Sequence, residues 1–598
     1  MKLSKLYTNK PELFEPIEFQ AGLNVVLAEI RLPENREKDV HNLGKTTLGR
    51  LLNFCLLSQK DPNFFLFKHY KRFKEFIFFL EIKLDEANYV TIRRDVENAT
   101  KISYKKSISP YQDFNDLEES EWDHFELPFE QARRMLDSLL DLRVLKPWTY
   151  RNFLGYQLRG QNDYQDVFQL SKFKGAHSGW KPFLAHILGF DAELIKEHYE
   201  KDVELEAKAN DEKRVESELG GTVEDVSKIE GMLLLKKEDA EKKQALLDAF
   251  DFRYEDRIGT KRLVGDIDET IAELNSRRYS LNKTKKKITD SLKDNQILFK
   301  PENAKRLFEQ AGVLFDGQIK KDFQQLIDFN KAISEERRQY LTEELGEIET
   351  ELKDVNNKLD KLGMERSKLL AFLSSADVFD KYKQVSNEIV TLKADIAFLE
   401  NKRSFLKRLQ ELRFEIRVLK EECNELQGEI ENDVEEQNAN GKSLFSTIRL
   451  YFSEIIREVI SHNALLSVSP NTMGHLEFKA EILDDSGNAT SAGLGHTYNK
   501  LLCIAFDLAV MRAHLAEKFP RFVYHDGVFE SLDPRKKMNL LDVYRRYARF
   551  GIQSVITSLD SELLTPAGTE DIFIEPDEVV LTLHDENEQG RLFKMKAW

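Results

Sequence analysis

Residues 341–362 read LTEELGEIETELKDVNNKLDKL. Their apolar positions, Leu341, Leu345, Ile348, Leu352, Val355, Leu359 and Leu362, are spaced by four and three in alternation. An average repeat of 3.5 residues keeps one stripe of a helix turned toward a partner along its length, which is a coiled-coil seam. The beat continues in Val385, Ile389, Leu392, Ile396 and Leu399, and again in Ile416, Leu419, Cys423, Leu426 and Ile430. Upstream, Ile267, Ile271, Leu274, Leu281, Ile288 and Leu292 keep it as well. From roughly 190 to 440 the chain is rich in Glu, Lys, Leu and Ile and nearly free of proline.

Between Lys300 and Asn330 the heptads fail, and Pro301, Gly312 and Gly317 oppose a continuous helix. Heptad sequence of similar length flanks this segment. The outgoing side is interrupted at DAFDFRYEDRIGTKRLVGD (248–266) and the returning side at SSADVFDKYK (374–383), at similar distances from the turn. Matched lengths and matched breaks predict an intramolecular antiparallel coiled coil with an elbow. A parallel homodimeric rod, or several short bundles, is the alternative. An arm of about 100 residues would reach on the order of 150 Å if straight. The expected divisions are an N-terminal block at 1–189, the outgoing arm at 190–298, its turn at 299–330, the returning arm at 331–440 and a C-terminal block at 441–598.

The chain has 598 residues, of which 32% are charged, and a net charge of −16. Any nucleic-acid contact must therefore come from a local basic surface. Cys55, Cys423 and Cys503 lie far apart, which argues against a disulfide scaffold or a zinc ribbon, and the turn of the arm holds no C-x-x-C. Neither an N-terminal apolar segment nor an 18-residue apolar run occurs, so the expectation is a soluble, cytoplasmic protein with no membrane partner.

The N-terminal block opens with two β-rich runs, KLSKLYTN and PIEFQAGLNVVLAEI, the second containing the apolar strand Leu23–Leu27. DVHNLGKT (39–46) then follows the phosphate-loop pattern G-x-x-x-x-G-K-[ST], with Asp39 in place of the first glycine. Gly44 lets backbone N–H groups approach phosphate, Lys45 reaches the β/γ-phosphates, and the Thr46 hydroxyl ligates Mg²⁺. The helix predicted from Lys45 adds its positive N-terminal dipole, with Leu48, Leu51, Leu52, Cys55 and Leu56 on one face. A G-K-T can also be a mere helix start; the strand before it and the amphipathic helix after it favour the phosphate loop. Strands at 76–84, 89–96 and 101–106 read as an antiparallel meander, and FEQARRMLDSLLDL as a helix. Lys68, Lys71, Arg72 and Lys74, with Tyr70 and Phe73 between them, could touch nucleic acid, but a solvated face is the simpler reading. Of Gln157 and Gln161, the latter sits in the more polar loop and is preferred as a glutamine meeting Mg²⁺ and an attacking water.

The C-terminal block carries three features. A small-residue loop, Ser491–Thr497, leads into an apolar helix and forms an anion site by the dipole argument. The strand Phe522–Tyr524 ends at Asp526, where a carboxylate can hold Mg²⁺, and Ser531-Leu532-Asp533 follow. The strand around Val555 and Ile556 ends at Thr557 and Ser558, and VVLTLH with RLFKMKAW is expected to close the block as a hairpin.

With a phosphate loop, a folded-back coiled coil and an acidic strand end in this order, the chain resembles ABC-type ATPases of the SMC and RecN kind. The run GHTYNKLLCIAFDLAVMRAH with FVYHDGVFESLD is more similar to a bacterial subgroup encoded in ABC-three-component systems, associated with defence against phage and plasmids. The resemblance covers the whole length in architecture, though its motifs occupy only about a hundred residues. It implies an α/β ABC-ATPase head (P-loop NTPase) assembled from the two terminal blocks and joined by the long antiparallel α-helical coiled coil. It further implies ATP and Mg²⁺ as cofactors and ATP-driven engagement of two heads in a homodimer. The ATP-binding set would be Asn42, Gly44, Lys45, Thr46 and Thr47, with Ser491, Gly493 and Gly495 completing the site of the opposite protomer. Thr46, Asp526 and Gln161 would hold the metal, and Ser531 and Asp533 would form the D-loop. Double-stranded DNA would be the sensed polymer, with a nuclease-like effector and accessory subunits supplied separately.

The sequence also departs from that family. The catalytic glutamate that normally follows the acidic strand end is Gly527, which leaves Glu530 as the candidate base beside Asp526 and Gln161. The switch histidine is replaced by Ser558, the L-S-G-G-Q signature is not reproduced, and His525 or His496 is the histidine that could compensate. General-base work contributes about 10²–10⁴-fold, so slow hydrolysis is expected. Two other functions compete. Asp526, Glu530 and Asp533 could be the metal ligands of a nuclease, or the chain could be a structural tether with a degenerate head, against which Gly44-Lys45-Thr46 speaks.

Overall fold

The computed structural model describes residues 1–32, 43–170, 177–218, 226–249, 257–293, 317–371, 376–484, 486–490, 495–563 and 574–596. The chain divides into two compact units, one built from Met1–Leu205 with Leu419–Trp598 and the other from Glu206–Val418. Among the described residues no helix is long and apolar enough to cross a membrane.

The first unit contains the strands β1 (Lys2–Thr8), β2 (Ile17–Glu18), β3 (Leu23–Glu29), β4 (Ile77–Lys83), β5 (Tyr89–Asp95), β6 (Lys101–Ser107), β7 (His124–Pro128), β8 (Leu158–Arg159), β9 (Asn463–Pro470), β10 (Leu476–Leu483), β11 (Phe522–His525), β12 (Gln553–Leu559) and β13 (Val579–His584). The strands β3, β11 and β12 are buried on both faces, the pattern of a parallel sheet covered on each side. They form a five-stranded sheet in the order β13-β3-β12-β11-β8, every pair of it parallel. Val25 of β3 lies beside Ile556 of β12, so strands from the two ends of the chain share one sheet. A six-stranded antiparallel sheet, β2-β1-β4-β5-β6-β7, contains the expected meander. The hairpin β9–β10, not anticipated from the sequence, makes a separate two-stranded sheet.

The expected closing hairpin does not form. β13 instead joins the parallel sheet beside β3, and RLFKMK holds no strand. Leu592 N donates to Leu43 O at 3.0 Å and Lys594 N to Leu13 O at 2.9 Å. Phe593 packs among Phe14, Phe65, Phe73, Phe76 and Phe78. A buried aromatic anchor outweighs the pairing that the local pattern offered. The basic run lies in the short helices Phe65–Lys68 and Tyr70–Phe73, where Phe73 is buried and Arg72 Nη1 donates to Lys596 O at 2.9 Å.

The second unit is helical. Lys208 pairs with Glu415, Arg413 with Glu212 and Glu216, Lys236 with Asp395, and Lys243 with Glu388. Partner numbers fall as residue numbers rise, so the two segments run antiparallel. These exposed pairs fix register more than they stabilise. Arg277 with Glu351 and Lys285 with Glu349 give the same sense to the helices Arg257–Lys293 and Gly317–Ala371. Leu281, Ile288, Ile348, Leu352 and Val355 form the seam between them. This farther pair bends back onto the nearer one: Tyr279 meets Phe398 edge-on at 4.6 Å, and Lys287 Nζ donates to Glu218 O at 2.8 Å. Where the bend occurs, Leu247, Val264, Leu370, Tyr382 and Ile389 cluster. Beside them Arg366 Nε lies 2.6 Å from Asp268 Oδ1, and Ser386 donates to the same carboxylate.

The interruptions are narrower than expected. Residues 257–266 and 376–383 are helical, leaving 250–256 and 372–375 outside the described residues. Residues 317–330, placed in the turn by sequence, begin a helix at Gly317, while 299–316, with Pro301 and Gly312, lie outside the description.

Candidate functional site

Helix Lys45–Cys55 starts at Gly44, which caps it in the left-handed conformation at φ 112°. A side chain there would be strained, and its Cβ would stand 2.5 Å from Leu592 Cβ. Leu48, Leu51, Leu52, Phe54 and Cys55 bury one face of the helix. Tyr524 of β11 donates from its hydroxyl to Lys45 O at 2.5 Å and so fixes the first turn against the sheet. The next helical residue, Thr46, donates from Oγ1 to Asp526 Oδ2 at 2.6 Å, across 480 positions of sequence. Thr557, at the end of β12, donates to the other carboxylate oxygen at 2.6 Å and accepts from Gly527 N at 2.9 Å.

Asp526 is fully buried. Burial raises its pKa; hydrogen bonds from Thr46 and Thr557 and the Lys45 ammonium oppose that rise, and Glu530 adds to it. An oxygen-only donor set with a buried carboxylate and a threonine hydroxyl beside a helix N-terminus fits Mg²⁺ with a bound phosphate. Thr46 and Asp526 are the residues that would hold the ion, and the Gly44–Thr46 backbone with Lys45 would face the phosphates.

Gly527 has φ 64°, and a Cβ on it would lie 2.7 Å from Glu530 Oε1 and 3.1 Å from Gln161 Nε2. The Glu530 carboxylate therefore occupies the space into which a side chain at 527 would project. Gln161 Nε2 donates to Glu530 Oε1 at 2.7 Å, and buried Lys500 lies 3.4 Å from Oε2 while donating to Gly527 O at 2.6 Å. Gln157, the other glutamine considered, is buried and donates to Phe522 O at 3.0 Å, away from this group.

Behind the site, Arg159 grips Asp507 with Nε–Oδ2 at 2.6 Å and Nη2–Oδ1 at 2.9 Å, both side chains wholly buried. Burial works against the charge on Arg159, but the Asp507 carboxylate overrides it and the pKa stands above the usual arginine range. Arg159 also donates to the carbonyls of Asp163, Asp166 and Val167, which shapes the loop carrying Gln161. His525 is buried between Tyr544 and Asp507, and burial lowers its pKa, so it serves this framework and does not stand in for the switch histidine. Ser558 turns away as well, donating to Glu562 Oε2 at 3.0 Å, and its neighbour Thr557 faces Asp526 instead.

Among the described residues, the other expected ones do not join this cluster. Thr47 is half-buried on the first turn of its helix. Gly495 caps helix His496–Ala513, where His496 is exposed; Asn42, Ser491 and Gly493 lie outside the described residues. Ser531 takes φ 63°, and Asp533 caps helix Pro534–Arg549 by accepting from Lys536 N at 3.1 Å. Asp526, Glu530 and Asp533 do not converge as a ligand group among the described residues. Sequence reading missed Lys500 and the role of Thr557. Lys500 carries a weak signal, a cation directly before the apolar run Leu501–Phe506.

Residues 453–597 match a family model described as "Uncharacterised protein conserved in bacteria (DUF2326)". No curated protein matches the chain. Among solved structures, the Smc head domain with a coiled coil and joint from Pyrococcus yayanosii is 14% identical over 93% of this chain and 92% of that one, at a TM-score of 0.31. The Smc head domain with an extended coiled coil bound to the C-terminal domain of ScpA, from Pyrococcus furiosus, is 11% identical over 94% and 90%, at 0.30. Superposition at these scores is loose, so the side chains above, and not the likeness, bear on function.

Proposed function

We propose that the chain binds ATP with Mg²⁺ at Gly44, Lys45, Thr46 and Asp526 and hydrolyses it slowly. The contact between Thr46 and Asp526 is the observation that carries this reading, because it joins the phosphate loop to the acidic strand end. Bound Mg²⁺ supplies charge neutralisation for the phosphates. Lys45 adds a second positive charge, and Thr557 keeps the Asp526 carboxylate oriented. Glu530, held by Gln161, takes a proton from the attacking water on its carboxylate. The Lys500 ammonium stands 3.4 Å from the other Glu530 oxygen and helps hold the carboxylate in place.

Following the resemblance in its motifs, we extend the reading to a homodimer closed by ATP through the heads. Ser491, Gly493 and Gly495 would contribute across the interface, with Ser531 and Asp533 beside it. Such a dimer would sense or hold double-stranded DNA and control a nuclease-like effector in a bacterial defence complex. Two competing readings have less support. A nuclease would need Asp526, Glu530 and Asp533 to converge, and a tether would have no use for the Thr46–Asp526 pair.

Incubating the pure full chain with DNA, Mg²⁺ and ATP separates the three. An ATPase releases phosphate and leaves the DNA intact, whereas a nuclease degrades DNA unaided and a tether ignores ATP. In the same assay Glu530→Gln should reduce phosphate release by about 10²–10⁴-fold. Unchanged turnover would exclude Glu530 as the base.

A further inference from the structure

Away from the nucleotide site, three side chains with metal-ligating atoms meet within the first unit. His198 and Asp202 stand one turn apart on helix Ala192–Glu218, so both project from the same helical face. His475 comes from the turn between β9 and β10, where Gly474 at φ 77° brings the backbone against His198. One imidazole nitrogen from each histidine and one Asp202 oxygen all lie within 4.8 Å of one another.

An ordinary ion pair accounts poorly for this group. His475 Nε2 lies 3.0 Å from Asp202 Oδ2, yet that oxygen is buried without a hydrogen bond, as is His475 Nδ1. His198 Nδ1 is 3.8 Å from the same oxygen, beyond hydrogen-bond reach. Buried polar atoms left unpaired are costly, and a bound ion is one standard way of satisfying them. Burial lowers the pKa of both histidines, which favours the neutral imidazoles that bind metals. His475 is further held by stacking on Tyr199, with ring centroids 4.4 Å apart and an interplanar angle of 9°.

We infer that His198, Asp202 and His475 form a binding site for a divalent transition-metal cation of the zinc class. Two imidazoles and one carboxylate are a common zinc donor set, with a fourth position left open. Tetrahedral bonds of about 2.0 Å place donors about 3.3 Å apart, so the group closes modestly around the ion. The Cys423 thiol lies beside the Asp202 carboxylate as one further soft donor. A metal here would clamp the β9–β10 turn to helix Ala192–Glu218.

The test uses the full chain, stripped with a chelator, dialysed and titrated with Zn²⁺ or Co²⁺ in the absence of nucleotide. One equivalent should bind per chain, with the absorption of tetrahedral Co²⁺ and a raised melting temperature. Asp202→Asn, which preserves shape, and His475→Gln should each weaken uptake by more than the 10–100-fold typical of outer-shell losses. Melting curves of the metal-free variants establish that they fold. Asp526→Asn, which alters the nucleotide site, should leave uptake intact. Absence of stoichiometric uptake, or uptake unaffected by Asp202→Asn and His475→Gln, would overturn the inference.

Discussion

Thr557 and Ser558 are adjacent and chemically alike, yet only one of them serves the site. Successive residues of a strand point to opposite faces, so Thr557 reaches Asp526 and Gly527 while Ser558 reaches Glu562. Sequence located the strand end but not its phase. Glu530 was legible as the nearest carboxylate; its placement in the space beside Gly527 depends on a left-handed backbone that no spacing reveals. Thr557→Val should leave an Asp526 oxygen and Gly527 N unpaired in the interior, a loss of about 1–3 kcal/mol in urea unfolding. Thr557→Ser should restore most of it. Equal stabilities of all three proteins would remove Thr557 from the site.

At the scale of elements, the heptads announced the arm because an apolar stripe repeats over many turns. Leu274, Leu281, Ile288, Leu341, Leu345, Ile348 and Leu352 all meet in the seam where the period places them. The limits of the breaks were less legible, since local propensity gives way to tertiary packing near a helix end. The tail shows the same competition: Phe593 is drawn into an aromatic cluster, and the strand before it into a parallel sheet. Where the arm bends, Asp268 neutralises nearly buried Arg366 and accepts from Ser386. Asp268→Ala would leave the guanidinium buried without its counter-charge, a loss of about 3–5 kcal/mol. Protease sensitivity within 257–371 should rise accordingly, and an unchanged digestion pattern would mean that this node does not hold the bend.

On the scale of the molecule, each half of the first unit supplies strands the other lacks, because β3 sits between β12 and β13. No local pattern in the sequence could state that order; the motifs gave it only through what they must jointly bind. The antiparallel sense of the second unit is open to a direct check. A zero-length carbodiimide couples amines to adjacent carboxylates, so it should join Lys208 to Glu415, Lys236 to Asp395 and Lys243 to Glu388. Mass spectrometry of mixed isotopically light and heavy chains should find these links within single chains. Light–heavy links at these residue pairs would point to a rod made from two molecules.

The nucleotide reading stands or falls on whether the ends of the chain make one cation and phosphate site. Calorimetric titration of ATP into the metal-stripped full chain, with and without Mg²⁺, measures this. Binding should require Mg²⁺ in the wild-type chain and be lost in Lys45→Ala and in Asp526→Asn, each shown to be folded by its melting curve. ATP binding of equal strength in the wild type and both variants would contradict the account.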